Sequence, residues 1–351
     1  MMLRAVWSCR QLEFKEVAVT SRQSMHEKET FFIKIWDDCA PEVYGVGECA
    51  LFRGLSSDDT PRYADILANV CRHIDRVRID DVKESSIRFG VETALRDLAC
   101  GGLRVLWDTP WTHGESEIKI NGLVWMGDRD TMMRRIIDKI DRGFRCIKLK
   151  IGGIDFNQEL ELIRYIRESF TAGELEIRLD ANGAFRPVDV LHRIDKLARY
   201  DIHSVEQPIR QGQWQDMGEI CRRSPIPVAL DEELIGTYGY DDRCRMLDTV
   251  MPQYVIIKPS LCGGFANADG WIADAADRSI GWWATSALES NIGLNAIAQW
   301  VSAYRTDMPQ GLGTGALYKN NIPSPLVQER DAILSDRNGQ WDLSSIQWSS
   351  L

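Results

Sequence analysis

Five charged residues carry the first chemical signal in this chain: Lys150, Asp180, Glu206, Asp231 and Lys258, separated by 30, 26, 25 and 27 residues. Each sits at or near the C-terminal end of a short apolar run: "CIKLKIG", "LEIRLDAN", "IHSVEQPI", "PVALDEEL" and "YVIIKPS". Three carboxylates gathered within a few Å repel by roughly 1–4 kcal/mol per pair at effective dielectrics of 80 to 20. They stay ionised together only with a cation among them. An all-oxygen set without His or Cys selects a hard divalent ion, Mg2+ first and Mn2+ second. Any one of the acids alone reads as an ordinary loop or helix-cap residue. Their shared register makes them a set.

The run "KLKIG" places Lys148 and Lys150 two apart, and on a strand they share one face while Ile147, Leu149 and Ile151 take the other. Like charge and partial desolvation both favour the neutral amine, and so does a nearby divalent ion. That makes a lysine here a usable base. The plainer alternative, two lysines on a solvent-facing edge strand, fits poorly with the apolar opposite face. A metal held by three acids between lysines suits proton abstraction next to a carboxylate, with the metal stabilising the enediolate that forms.

The elements that must position these residues follow from periodicity. From about Glu117, short apolar strands, beginning with "EIKINGLV" and ending with "GWWATSALES", alternate with amphipathic helices. One such helix spans residues 156–170, with Phe156, Leu160, Ile163, Ile166 and Phe170 on one side. Strands alternating with helices imply parallel units with right-handed crossovers. The spacing matches the ~30 residues per unit of an eight-unit barrel, whose strand C-termini converge on one face. Before Glu117, "FFIKIWDD" and "VYGVGECALF" read as strands and "GLSSDDTPRYADILANVCRHI" as a helix. "SSIRFGVETALRDLACGG" reads as a second helix with a Ser start, a Gly stop and Ile87, Val91, Ala94, Leu95 and Leu98 at helical spacing. No Pro/Gly/Ser linker separates the halves.

Composition sets the outer bounds. With 351 residues, 44% hydrophobic, the chain can bury a large core. A net charge of −10 and a pI near 5.2 argue against nucleic acid or an acidic membrane surface as partner. No apolar run approaches the roughly 18–20 residues that span a bilayer, and the N-terminus has no signal-peptide pattern. Nine cysteines without a Cys-x-x-Cys pair point to reduced thiols in the cytoplasm. The five histidines have no ligand spacing. Twelve tryptophans hint at an interface without locating it, and the oligomeric state stays open.

At "KLKIG", "RLDANGAF", "VEQPI", "ALDEEL" and "IIKPSLCGG" the chain resembles the enolase superfamily, specifically its muconate-lactonising subgroup. A Lys or His base with Mg2+ stabilising an enediolate is the established pattern of that superfamily. The resemblance implies a modified TIM barrel, (β/α)7β, of residues 116–321, under an α+β capping domain of residues 1–115 completed by residues of about 322–351. Within the subgroup, "SSIRFGVETALRDLA", "GECALFRGLS", "TSALESNIGLNAIAQW" and "GLGTGALYKNNIPSPL" resemble the dehydratases of menaquinone biosynthesis. These act on a small carboxylate, 2-succinyl-6-hydroxy-2,4-cyclohexadiene-1-carboxylate, by syn elimination of water.

The resemblance implies roles residue by residue. Asp180, Glu206 and Asp231 match the metal ligands. Lys150 matches the base that takes the α-proton and returns it to the departing hydroxyl. Lys258 matches the opposing lysine, which steadies the ring by a cation–π contact. Lys148 would tune Lys150, while Asn182 and Arg178 would orient substrate or ligands. Glu232 would support the third ligand, and Ser286 would hold the succinyl chain or carboxylate. Lids are expected from residues 20–29 and 50–55, with Met25, Leu51 and Phe52 shaping the pocket. Relatives in the subgroup epimerise dipeptides or racemise N-succinylamino acids with the same two lysines. The Asp-x-Asp pair that grips a dipeptide's ammonium is missing from "GLGTGALYKNN". A non-catalytic metal-binding barrel is the alternative from a different class.

Overall fold

A computed structural model describes residues 2–19 and 24–349. Strands β1 (Leu3–Val19), β2 (Ser24–Asp37) and β3 (Ala40–Cys49) form an antiparallel sheet in the order β1-β2-β3. One face of it, with Phe31, Ile33 and Ile35, packs on helices α1 (Tyr63–Arg72) and α2 (Ser85–Ala99). Contact with α2 is very close. A Cβ on Gly47 would lie 1.9 Å from the Gly90 carbonyl oxygen, so only glycine fits there. The opposite face carries Lys28, Thr30, Phe32 and Glu48 and is also buried.

Helix α2 ends where Gly101 and Gly102 take positive φ, as its Gly-Gly stop predicts. Its Ser start has another use. The Ser85 hydroxyl makes no helix cap; it donates to the Ser260 carbonyl and accepts from the Gly263 N–H, tying the helix to the barrel.

Next come β4 (Ile118–Lys119), β5 (Gly122–Val124), α3 (Arg129–Asp141), β6 (Cys146–Lys150), α4 (Phe156–Ser169), β7 (Glu176–Asp180) and α5 (Val190–Leu197). They are followed by β8 (Ser204–Glu206), α6 (Trp214–Arg223), β9 (Val228–Leu230), α7 (Tyr240–Val250), β10 (Tyr254–Ile257), α8 (Gly264–Ala276), β11 (Gly281–Ala284) and α9 (Asn291–Ser302). Strands β5 to β11 form one parallel sheet in sequence order. Parallel pairings of Gln310 with Ile120 and Gly311 with Thr285 close it with an eighth strand that no barrel helix follows. This is the (β/α)7β barrel that the sequence implied.

Alternation along the barrel strands decides what faces where. Ile147, Leu149, Ile177, Leu179, Val205, Val228, Leu230, Val255 and Ile257 point outward into the main core beneath the helices. Each such side chain stabilises by about 1.5–3 kcal/mol when fully buried. The even-numbered residues of β6, β7 and β8 face inward.

The C-terminal part divides. Strand β12 (Leu326–Glu329) pairs with β13 (Ala332–Ser335), which pairs with β4 beside the barrel. Residues 341–349 return to the first sheet: Ile346 joins Phe32 and Val46, and Ser349 exchanges hydrogen bonds with the Trp7 backbone. Among the described residues no helix is long and apolar enough to cross a membrane. No tryptophan is exposed, so the hint of an interface gains no support from them.

Candidate active site

Register puts Lys150, Asp180 and Glu206 side by side on β6, β7 and β8. The next partners in that row are Ala229 and then Tyr254, because strand tilt in a barrel makes the row sink relative to the mouth. Mouth-level positions therefore fall two residues later on β9 and four later on β10. Those positions are Asp231 and Lys258. All five residues come together, each nine-tenths or more buried apart from Lys258, whose side chain is 13% exposed.

The contacts are ionic and short. Lys148 Nζ lies 2.9 Å from Asp180 Oδ2 and 2.6 Å from Glu206 Oε2, bridging the two acids. Lys150 Nζ donates to Asp180 Oδ2 at 2.6 Å and to Asn182 Oδ1 at 2.8 Å. Lys258 Nζ donates to Asp231 Oδ2 at 2.5 Å. Asn182, in a left-handed backbone conformation that Asn tolerates, also passes a hydrogen bond from Nδ2 to Glu232 Oε1 at 3.2 Å.

Electrostatics follow from this crowding. Burial pushes the Glu206 carboxyl well up, and the adjacent Asp180 and Asp231 charges push it further. Burial alone would also raise Asp180, but the Lys148 and Lys150 ammonium groups hold it far below the usual range. For Lys148 and Lys258, desolvation favours the neutral amine as the sequence suggested. The facing acids outweigh it, however, and both lysines are raised.

Among the described residues no group of three or more Asp, Glu, His or Cys stands arranged as a metal cage, and each of the three acids is paired with a lysine. The donor chemistry nonetheless fits a hard cation. Three adjoining buried carboxylates, one of them driven towards its protonated form by burial and by the other two, form an all-oxygen set that a divalent ion would hold together.

A cavity of about 820 Å³ opens above this set, lined from the barrel by Lys148, Lys150, Asn182, Glu232, Lys258 and Ser286. From the cap, Phe14, Met25, Phe52 and Leu55 close over it. Of the expected lid, residues 20–23 lie outside the described residues, and 24–29 form the start of β2 rather than a loop. Leu51 is a correction. It points away from the cavity, fully buried in the cap's own core with Tyr63 and Leu67.

Arg178 also differs from the expectation. It faces inward two residues below Asp180, donating to Glu176 at 2.6 Å and to the Pro309 carbonyl at 2.8 Å, with its guanidinium 4.3 Å from the Trp283 ring. It braces the barrel floor and does not line the cavity.

Sequence reasoning missed Glu48, Glu289, Lys28 and Thr314, although "GECA" and "TSALES" were in view. Glu289 stands three residues after Ser286 and accepts its hydroxyl at 2.6 Å. A buried acid paired with hydroxyls leaves no periodic trace in the sequence.

The fold and site define a class. The family described as enolase C-terminal domain-like matches residues 131–344, so the chain belongs to the enolase superfamily. The finer placement rests on full-length likeness. An o-succinylbenzoate synthase from Desulfotalea psychrophila is 43% identical over 90% of this chain and 94% of its own. The crystal structure of MenC from Desulfotalea psychrophila LSv54 superposes with a TM-score of 0.83 at 40% identity, covering 95% of this chain and all of that one. Within the superfamily the chain is thus a member of the o-succinylbenzoate synthase family. A dipeptide epimerase from Cytophaga hutchinsonii, complexed with Mg and D-Ala-L-Val, shares the fold at 20% identity, with a TM-score of 0.83 over 99% of both chains.

Proposed function

We propose that this protein is an o-succinylbenzoate synthase, a hydro-lyase that removes water from 2-succinyl-6-hydroxy-2,4-cyclohexadiene-1-carboxylate to give 2-succinylbenzoate. The observation that carries this reading is the 43% identity to the Desulfotalea psychrophila synthase along nearly the whole of both chains. Asp180, Glu206 and Asp231 would hold the divalent ion, Mg2+ before Mn2+. Once bound, that ion would grip the substrate carboxylate and take up the negative charge that grows on it.

Lys150 lines the cavity and is assigned the proton transfers. It removes the proton on the carbon bearing the carboxylate, then delivers it as ammonium to the hydroxyl leaving from the same face. Were the acids to hold a cation, the ion pairs that hold Lys148 as ammonium would weaken, and Lys150 would no longer be tied to Asp180. Asn182, bridging Lys150 and Glu232, fixes where Lys150 Nζ sits. Lys258, on the other side of the acids, steadies the ring by its charge. The cap residues Phe14, Met25 and Phe52 exclude water.

The wall after the eighth strand, Gly313, Thr314, Ala316 and Leu317, offers no carboxylate to a substrate ammonium. This favours a substrate without an amino terminus over a dipeptide. Racemisation of N-succinylamino acids is the second reading, since it needs only a proton-moving lysine on each face. The nine cysteines, none in a disulfide, suit a reducing cytoplasm.

The test measures both activities in Lys258→Arg, after circular dichroism confirms folding. Arginine keeps the charge but does not surrender a proton. Dehydration should persist at a measurable rate while racemisation disappears. Parallel loss of the two would mean that Lys258 moves protons in both reactions and would overturn the one-base assignment.

A further inference from the structure

Away from the strand-end acids, a second set of buried charges lies where the cap sheet meets the barrel wall. Glu48 and Glu289 are fully buried and Lys28 is 5% exposed. Glu48 is saturated. It accepts from the Thr30 hydroxyl at 2.7 Å, the Ser290 N–H at 2.9 Å, the Ser290 hydroxyl at 2.5 Å and the Gly293 N–H at 3.0 Å. Glu289 accepts from the Ser260 hydroxyl at 2.5 Å and the Ser286 hydroxyl at 2.6 Å.

Ser286 in turn accepts from the Thr314 hydroxyl at 2.8 Å and from the Glu289 N–H at 3.2 Å. The hydroxyl protons therefore run from Thr314 to Ser286 to Glu289, away from the cavity that Ser286 and Thr314 line. A serine has one proton to give. While Glu289 is ionised it takes that proton, and Ser286 has none to offer a ligand. A protonated Glu289 reverses the chain: its O–H and N–H fill the two acceptor positions of Ser286, the Thr314 hydroxyl turns its proton away, and the Ser286 proton turns into the cavity.

Charge balance points the same way. Among the described residues facing Glu289 are the Glu48 carboxylate from β3, the Lys28 ammonium from β2, the Tyr318 phenol, and the hydroxyls of Ser260 and Ser286. Two carboxylates against one ammonium leave a negative charge without solvent. Lys28 does not relieve it by bonding, for its Nζ has no hydrogen-bond partner among them. One added proton does.

We propose that Glu289 is a positioning residue that carries a proton when a carboxylate ligand is bound, so that Ser286 donates its hydroxyl proton to that ligand. The inference rests on the reading of the substrate as a succinyl-bearing dicarboxylate. Burial, and then the Glu48 charge, push the Glu289 carboxyl upward, against the pull of its hydroxyl donors and Lys28.

The experiment is calorimetric titration of the Mg2+-supplied protein with 2-succinylbenzoate between pH 6 and 9.5. In the wild type the Kd should be flat at low pH and then rise about tenfold per pH unit as Glu289 ionises, the slope of a one-proton linkage. Glu289→Gln should remove that slope, because its amide N–H donates to Ser286 as the acid O–H does. Lys28→Met deletes the positive charge that favours ionisation, so the rise should move to higher pH. It also removes no hydrogen bond found among the described residues, which keeps the test open if Glu289→Gln misfolds. A flat wild-type profile, a slope that survives in Glu289→Gln, or a rise that stays put in Lys28→Met would overturn the assignment of Glu289 alone. Absence of binding at any pH would end both this inference and the proposed function.

Discussion

Two clusters of buried lysines and acids sit within this molecule, and they are built in opposite ways. At the barrel mouth, three lysines bond directly to Asp180, Glu206 and Asp231. At the cap boundary, hydroxyls and backbone N–H groups satisfy Glu48 and Glu289, and the one ammonium, Lys28, bonds to neither. The dipolar donors around Glu48 hold its carboxylate in place without exchanging partners, which suits a fixed scaffold. Ammonium partners can be displaced by another cation, which suits a site that must open to a metal and a substrate. Both clusters are equally buried, so depth does not separate chemistry from architecture. The type of partner does.

The largest expected effect breaks the mouth cluster at its base. Lys150→Ala should lower kcat by at least about 10²–10⁴, the usual worth of one proton transfer, in a steady-state dehydration assay on folded protein. A milder loss would move the base elsewhere.

Next is the acid set. Asp231→Ala should abolish activity and weaken Mg2+ binding measured by calorimetry. It should also destabilise the metal-free protein by about 3–5 kcal/mol in urea unfolding, because Lys258 is left buried without its partner. Glu206→Gln should cost less metal-free stability, since the amide oxygen still accepts from Lys148. If the two variants lose equal metal-free stability, repulsion among the acids is not the controlling energy.

Glu48, at the cap boundary, should respond in stability rather than chemistry. Glu48→Ala leaves Thr30, Ser290 and Gly293 without their acceptor at the start of α9 and should cost about 2 kcal/mol, with kcat changing far less than in Lys150→Ala. A kcat loss as large as that of Lys150→Ala would erase the distinction between the clusters.

Smallest in catalytic terms is the contrast between neighbours in the lid. Leu51→Ala should destabilise by about 2–5 kcal/mol through a cavity in the cap core and leave KM unchanged. Phe52→Ala should raise KM severalfold, because Phe52 lines the pocket.

How much of this was legible beforehand depends on periodicity. The barrel strands were readable because their outward faces are apolar at every second position, as in "CIKLKIG", and because unit spacing is regular. The mouth residues were readable because their charge interrupts that pattern. Arg178 interrupts it too, and the resemblance implies a place for it in the site beside Asp180. Sequence gives the face of a side chain but not its depth in the barrel, and Arg178 lies below the acids. Leu51 and Phe52 show the converse: adjacent residues of a lid segment point to opposite sides, and no periodicity there says which. Glu48 and Glu289 stayed hidden because they meet across 241 residues of chain through serines that any surface loop would carry.

The closing tail has a consequence for how the protein is made. Trp7, on the first strand, exchanges hydrogen bonds with Ser349, and Arg10 donates to Ser345 at 2.5 Å, so this strand has partners 342 and 335 residues further along the chain. At about 5–20 residues per second, the first sheet waits tens of seconds on the ribosome with its barrel-facing side uncovered. Phe32 and Val46 on that side meet Ile292, Ile322 and Ile346 only when the barrel is nearly complete. Assembly of the cap therefore waits on the barrel and is rich in distant contacts, a topology that folds slowly. Until the tail arrives, the nascent chain exposes an apolar sheet face that a holdase chaperone would recognise.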